Sequence, residues 1–357
     1  MQKHWLHFYG NCPPSLNIIA SALLASFLPL ASWATASSHA FMQPLFDDDA
    51  RATCRLLCLS FCAWEVLFHL ARYSLKRGAA NRILGAAPSS DDARKNGRGH
   101  GHADGSHGRR VRRDSRDEAR HALVQRGPSY AVSLLHSGYV TLRGTSHLYR
   151  LWSASRRDQL VVAAAGASPH RGAQIAVART NAVFLAYLLH DLLHVLLQYP
   201  GLGGADTVLH HAAFAACSVI NGGYGILPFA FGWLIVGEGS TVFLNLRWFL
   251  LKSGRCGGGA WARRLDRVNE AFAATFFLTR VGVYSAGIAH LFGGCRAELQ
   301  SVPAASGVPV SLLGVTCGCM LLGWVLNVFW GYKIMGMVLG KSKQKTKTRK
   351  DPQSKLP

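Results

Sequence analysis

Residues Leu209–Lys252 read LHHAAFAACSVINGGYGILPFAFGWLIVGEGSTVFLNLRWFLLK. Two apolar segments adjoin here, about Thr207–Ile226 and Pro228–Leu251. Each is long enough for a helix to cross a bilayer, which takes about 20 residues. The first opens on the pair His210-His211, and the second carries Glu238, Ser240, Thr241, Asn245 and Arg247. Ionisable groups at membrane depth are expensive and face a bundle interior rather than lipid. The stretch therefore predicts adjacent spans that enclose a polar cavity.

Working outward, six further apolar segments stand at about Leu16–Ala34, Ala52–Tyr73, Ser129–Leu142, Ile175–Tyr199, Asn269–Phe292 and Val308–Leu339. Hydrophobic residues make up 49% of the 357-residue chain, yet mean hydropathy is only +0.14. Apolar spans must alternate with very polar connections, as in a multi-pass membrane protein. The expected fold is all-α, a polytopic transmembrane helical bundle. Its core is six helices over residues 128–340, preceded by one or two hydrophobic helices in residues 1–75. Leu16–Ala34 fits either a cleaved signal peptide or a retained anchor, because Ala34-Thr35-Ala36 follows it as a small-residue run.

The net charge of +21 gathers in residues 76–127 and 341–357. Positive charge beside apolar spans sets orientation and meets anionic lipid headgroups, so no nucleic-acid partner is expected. Lys76–Arg126, Lys252–Arg267 and the C-terminal tail are all expected on the cytosolic face, although Arg143–Arg179 then lies opposite despite its arginines. Residues 76–127, rich in Gly, Arg and His, read as a disordered cytosolic loop that buries too little surface to offset its ordering entropy. The nine cysteines include no C-x-x-C pair, so neither a metal signature nor a disulfide framework is read. Cys54, Cys58 and Cys62 recur every four residues and fit a helix-packing face.

Tyr187, Asp191 and His194 are spaced i, i+4 and i+7, on one face of the fourth segment. Asp191 and His211 fall at similar depth, within about 6–10 Å of the same membrane boundary at 1.5 Å rise per residue. An aspartate beside a histidine fixes its tautomer, the arrangement used in acid–base and nucleophilic chemistry. Adjacent His210 and His211 diverge by about 100°, so one of them faces Asp191. Glu238 and Arg280, each near mid-span, are natural counter-ions. Glu238, Thr241, Asn245, Arg280, His136, Tyr187 and His194 are the candidate polar core.

These blocks, with Ser129–Gly138, Asn181–His194, Phe276–Arg280 and Asn327–Lys333, resemble the TLC (TRAM–Lag–CLN) domain family over about Pro128–Gly340. The branch resembled is that of the TLC domain-containing proteins rather than ceramide synthases proper. The resemblance implies an endoplasmic reticulum protein that binds lipid, sphingolipid or phospholipid, and contributes to lipid homeostasis. An alternative it implies is acyl-CoA N-acyltransfer to a sphingoid base, yielding ceramide, with His210, His211 and Asp191 catalytic. Acyl-CoA would then be a co-substrate; no cofactor is expected otherwise. The downstream aspartates of the synthases have no counterpart, since Glu238, Ser240 and Thr241 stand there. A second alternative is a cargo or trafficking factor. His190-x-x-x-His194 with His210-His211 also resembles two histidine boxes of di-iron oxidases, but a third is missing, so no metal is expected.

Overall fold

The computed structural model describes residues 47–84, 105–164, 166–253 and 259–350. The expected segment Leu16–Ala34 lies outside the described residues. The helices are α1 Asp47–Leu84, α2 Gly105–Leu151, α3 Arg156–Leu160, α4 Arg171–Leu197, α5 Ala205–Tyr224, α6 Pro228–Val236 and α7 Gly239–Lys252. They continue with α8 Gly259–Thr275, a π-helical segment Phe276–Val283, α9 Tyr284–Ala289, a second π-helical segment His290–Gly294, α10 Arg296–Ser306 and α11 Val310–Lys350. Among the described residues no strand forms beyond one bridge between Val161 and Ile226. The fold is all-α. Five helical stretches are long and apolar enough to cross a membrane: Arg51–Gly78, Arg171–Leu197, Pro228–Lys252, Gly259–Gly294 and Val310–Gly336.

One expectation needs correction. Of the loop expected to be disordered, 76–84 and 105–127 are helical, as the ends of α1 and α2; residues 85–104 lie outside the described residues. Charge density argued for disorder, but Arg109–Arg126 contains no Gly or Pro and is built largely from good helix formers. Arg110/Asp114 and Arg113/Asp117 also fall at the i, i+4 spacing that supports an isolated helix. Pro228–Leu251, expected as one span, falls within the single membrane-length stretch Pro228–Lys252, which carries an internal turn. It breaks after Val236 and resumes at Gly239.

The chain divides into two compact units. The first draws on Arg150–Pro228, Gln300–Thr316 and the described part of Met1–Ala63. In it α4 packs on α5. Buried Asn181 donates from Nδ2 to the Ser218 carbonyl at 2.8 Å, which offsets the cost of burying an amide. Gly222 leaves it room: a Cβ there would lie 2.8 Å from Asn181 Nδ2. Gly225 ends α5 in the left-handed region at φ 61, which glycine adopts without a Cβ penalty. The next residues are clamped, with Val162 N–H donating to Gly225 O at 2.8 Å and Leu227 N–H to Leu160 O at 2.6 Å. Leu227 itself has φ 55 and is fully buried; such a backbone costs about 1–3 kcal/mol and persists only where its surroundings hold it. Gln174, also fully buried, fixes the facing loop: Nε2 donates to the Asp158 and Val161 carbonyls, and Oε1 accepts from Ala163 N–H.

The second unit comprises the described parts of Trp64–Tyr149, Phe229–Leu299 and Cys317–Pro357. Its helices approach closely at small residues. A Cβ on Gly144 would lie 2.8 Å from the Gly232 carbonyl, and one on Gly287 would lie 2.4 Å from Trp233 Cδ2. Trp233 also meets Tyr284 edge-on at 4.9 Å, and the Tyr284 hydroxyl donates to Met320 O at 2.9 Å. Asn245 Nδ2 donates to Ser133 Oγ at 3.0 Å, and Tyr130 stacks on Trp248 at 4.0 Å. These contacts join α2 to α7. Arg247, which could have reached toward lipid phosphates, instead donates from Nε to Asn269 Oδ1 at 2.9 Å.

Three glycine substitutions check this packing. Gly287→Ala drives a methyl into the Trp233 indole and is expected to cost about 1–3 kcal/mol, the usual range for overpacking. Gly293→Ala, where a Cβ meets nothing within 4 Å, should be near neutral. Thermal unfolding in detergent, followed by tryptophan fluorescence, separates them; equal midpoints would refute the Gly287–Trp233 contact. Gly222→Ala should likewise lower the midpoint, because displacing Asn181 leaves a buried amide unsatisfied at about 1–3 kcal/mol.

Candidate functional site

Among the described residues, two groups of candidate polar side chains stand inside apolar helices, one in each unit. In the first unit the spacing on α4 sets Tyr187, Asp191 and His194 along one face, and α5 brings the paired histidines to it. Asp191 Oδ2 lies 3.2 Å from His211 Nδ1, with both side chains only 13–14% exposed. His210 turns elsewhere, its ring 4.7 Å from that of Phe214. The 100° divergence of adjacent helical residues accounts for this split. His194 packs ring to ring with His190 at 4.6 Å, and Phe61 meets His190 edge-on at 6.0 Å. Tyr187, His190 and His194 are all buried.

A carboxylate beside Nδ1 favours the tautomer that carries its proton there and leaves Nε2 as a base. Once protonated, the same histidine forms an ion pair with Asp191. The arrangement can therefore hold a proton, orient a base or meet a polar ligand.

In the second unit the residues form around Arg280. Its Nη2 donates to Glu238 Oε1 at 2.9 Å and to Thr241 Oγ1 at 3.0 Å. Its Nε donates to the Gly237 carbonyl at 3.1 Å and to Ser240 Oγ at 2.9 Å. Thr241 in turn donates to Glu238 Oε2 at 2.8 Å. A regular helix would turn Ser240 away from Glu238 and Thr241; the break at Gly237–Glu238 lets all three reach one guanidinium. The other two candidates sit apart from this group. Asn245 is engaged with Ser133, and His136, buried, meets Trp64 edge-on at 5.6 Å.

Three contributors were not singled out as site residues by sequence reading: His190, Ser240 and the Gly237 carbonyl. His190 carried a signal in its i, i+4 spacing from His194. For the carbonyl, the signal was the pair of glycines flanking Glu238, since glycine inside a helical pattern marks a break. The π-helical geometry around Arg280 has no counterpart in the residue pattern.

The comparisons with known proteins agree with this architecture. The profile of the TLC domain matches residues 129–336, well over half the chain. TLC domain-containing protein 4 of Xenopus tropicalis is 30% identical over 173 residues, which is 48% of this chain and 63% of that protein. TLC domain-containing protein 4-B of Danio rerio is 29% identical over 158 residues, 43% of this chain and 55% of that protein. The chain thus spans less than two thirds of the length of these relatives. No solved structure matches. With a profile match that extends from the first turns after Pro128 to Gly336 and takes in both polar clusters, the chain belongs to the TLC domain family.

Proposed function

We propose that this protein binds a membrane lipid within its TLC domain and contributes to the lipid composition of the endoplasmic reticulum, with its C-terminus in the cytosol. The observation that carries the reading is the Asp191–His211 pair. Ionisable groups inside a TLC domain are costly at membrane depth, and an oriented carboxylate–imidazole pair offers the polar contact that a lipid headgroup requires. The basic ends of the apolar spans supply a second attraction, to anionic headgroups at the cytosolic surface.

One specific observation favours a second reading, acyl transfer. His211 is oriented by Asp191 in the way a histidine base or nucleophile is oriented. Against it, the second polar cluster holds Glu238, Ser240 and Thr241 on an arginine rather than presenting aspartates to the imidazoles.

Purified protein in nanodiscs is expected to retain a lipid detectable by mass spectrometry of the extract, and to show little turnover of acyl-CoA with sphingoid bases. Robust N-acylation, lost in His211→Ala or Asp191→Asn, would replace the binding reading by the enzymatic one. Finding neither bound lipid nor turnover would refute both. The orientation has its own check. Protease added to intact microsomes should cut within Lys76–Arg126 and within the basic C-terminal tail, and protection of either would reverse the topology.

A further inference from the structure

Glu238 and Arg280 meet where two helices lose regular geometry at the same place. On one side the span Pro228–Lys252 is interrupted between Val236 and Gly239. On the other, Arg280 stands in the π-helical segment Phe276–Val283. A π segment inside an α-helix is uncommon and is found frequently at functional sites. Interrupted backbone at membrane depth is tolerated where it is buried in protein or lines a cavity. Here the Gly237 carbonyl accepts from Arg280 Nε and from Ser240 Oγ.

The manner of pairing is informative. A carboxylate and a guanidinium that serve only each other are best joined by two parallel bonds, fork to fork. This pair uses one. Glu238 gives Oε1 to Arg280 Nη2, while its Oε2 accepts from Thr241. Arg280 is held by Nε and Nη2, and among the described residues Nη1 donates no hydrogen bond. The guanidinium is thereby fixed in orientation with one of its three nitrogens to spare. The Glu238 side chain remains 25% exposed and that of Arg280 15%. Both side chains therefore remain partly accessible.

Charge then selects the ligand class. The pair is neutral as it stands. An anion added to Nη1 would leave a net negative charge in a low-dielectric site, which is costly. A ligand carrying both signs, with its phosphate on Nη1 and its ammonium beside Glu238, leaves the site neutral. We propose that Glu238 and Arg280 form a receptor for the headgroup of a zwitterionic phospholipid, the phosphate meeting Arg280 Nη1 and the ammonium Glu238. This rests on the lipid-binding reading above and names the ligand class for the second cluster.

Native mass spectrometry of the full-length protein, released into an equimolar mixture of dihexanoyl phosphatidylcholine, dihexanoyl phosphatidic acid and dihexanoylglycerol, tests it. The wild type should retain the phosphatidylcholine at least about tenfold over either competitor, a factor equivalent to one well-placed polar contact. Glu238→Gln leaves the site with one positive charge and should reverse the preference toward phosphatidic acid by about tenfold or more. That gain cannot arise from loss of folding. The double variant Glu238→Gln/Arg280→Gln carries no orphaned buried charge, so it is the variant expected to keep its fold; its preference should fall to about one. An unchanged preference in both variants would overturn the assignment, as would a wild type that retains the three lipids equally. In those cases lipid binding itself would stand, whereas a wild type retaining none of them would also remove the reading on which the proposal rests. Displacement by water-soluble glycerophosphocholine as effective as by the lipid would overturn a lipid as the ligand.

Discussion

The cost of an ionisable group at membrane depth organises both polar clusters of this protein. A carboxylate or guanidinium surrounded by hydrocarbon must find a partner of opposite charge, a set of hydrogen bonds or water. Arg280 answers with four donated hydrogen bonds, two to side-chain hydroxyls, one to a carboxylate and one to a backbone carbonyl. Asp191 answers with an imidazole. Such pairs contribute little net stability, because desolvation consumes most of the Coulomb gain, yet removing one partner is severe at about 3–5 kcal/mol. They specify which helices meet and at what level more than they hold them there. Holding comes from apolar contacts such as Trp233 against Gly287 and Tyr130 against Trp248.

The same constraint explains why helical irregularity accompanies charge here. At the turn the backbone ladder shifts, with Thr241 N–H donating to the Glu238 carbonyl at 3.0 Å. The Gly237 carbonyl there accepts from Arg280 Nε and from Ser240 Oγ. The broken span and the π-helical segment are thus parts of one polar site and not separate defects. In the first unit the equivalent cost is met differently. Backbone polar groups in the connection from Leu151 to Ala163 are satisfied by two buried glutamines, Gln159 and Gln174, and Leu227 is held at positive φ by its bond to Leu160.

Much of this was legible in the sequence because hydrophobic periodicity and charge cost act locally. The all-α class, five of the eight expected spans and the Glu238 counter-ion at Arg280 follow from where apolar runs begin and where charges interrupt them. The divergence of His210 from His211 follows from helical pitch alone. What was not legible depends on more than one segment at a time. Residues 105–127 looked too polar to order, yet propensity and i, i+4 charge spacing suffice for a helix that continues into an apolar one. The extra residue in a π turn leaves no pattern, and the reach of Ser240 depends on a break whose geometry is set by the opposing helix. His190 was visible as half of a spaced pair, but its neighbourhood with His194 and Phe61 required the fold.

Resemblance to a family with acyltransferase members sharpens what the second cluster means. Acyl transfer through an imidazole needs a base oriented by a carboxylate, a thioester held beside it and a developing oxyanion stabilised by preorganised donors. Asp191 and His211 supply the first of these. Ser240 and Thr241, however, spend their hydroxyls within the Arg280 network, Thr241 donating to Glu238 while both accept from the guanidinium. A guanidinium already neutralised by an adjacent carboxylate is a poor stabiliser of a transient oxyanion, because the negative charge it would meet must compete with Glu238. The same neutral pair is well suited to a resident ligand that carries both signs, since such a ligand gains from each member without changing the charge of the site. On the proposed reading Glu238 is therefore the residue that separates binding from catalysis: the carboxylate that lets Arg280 exist at membrane depth also limits which charges can approach it.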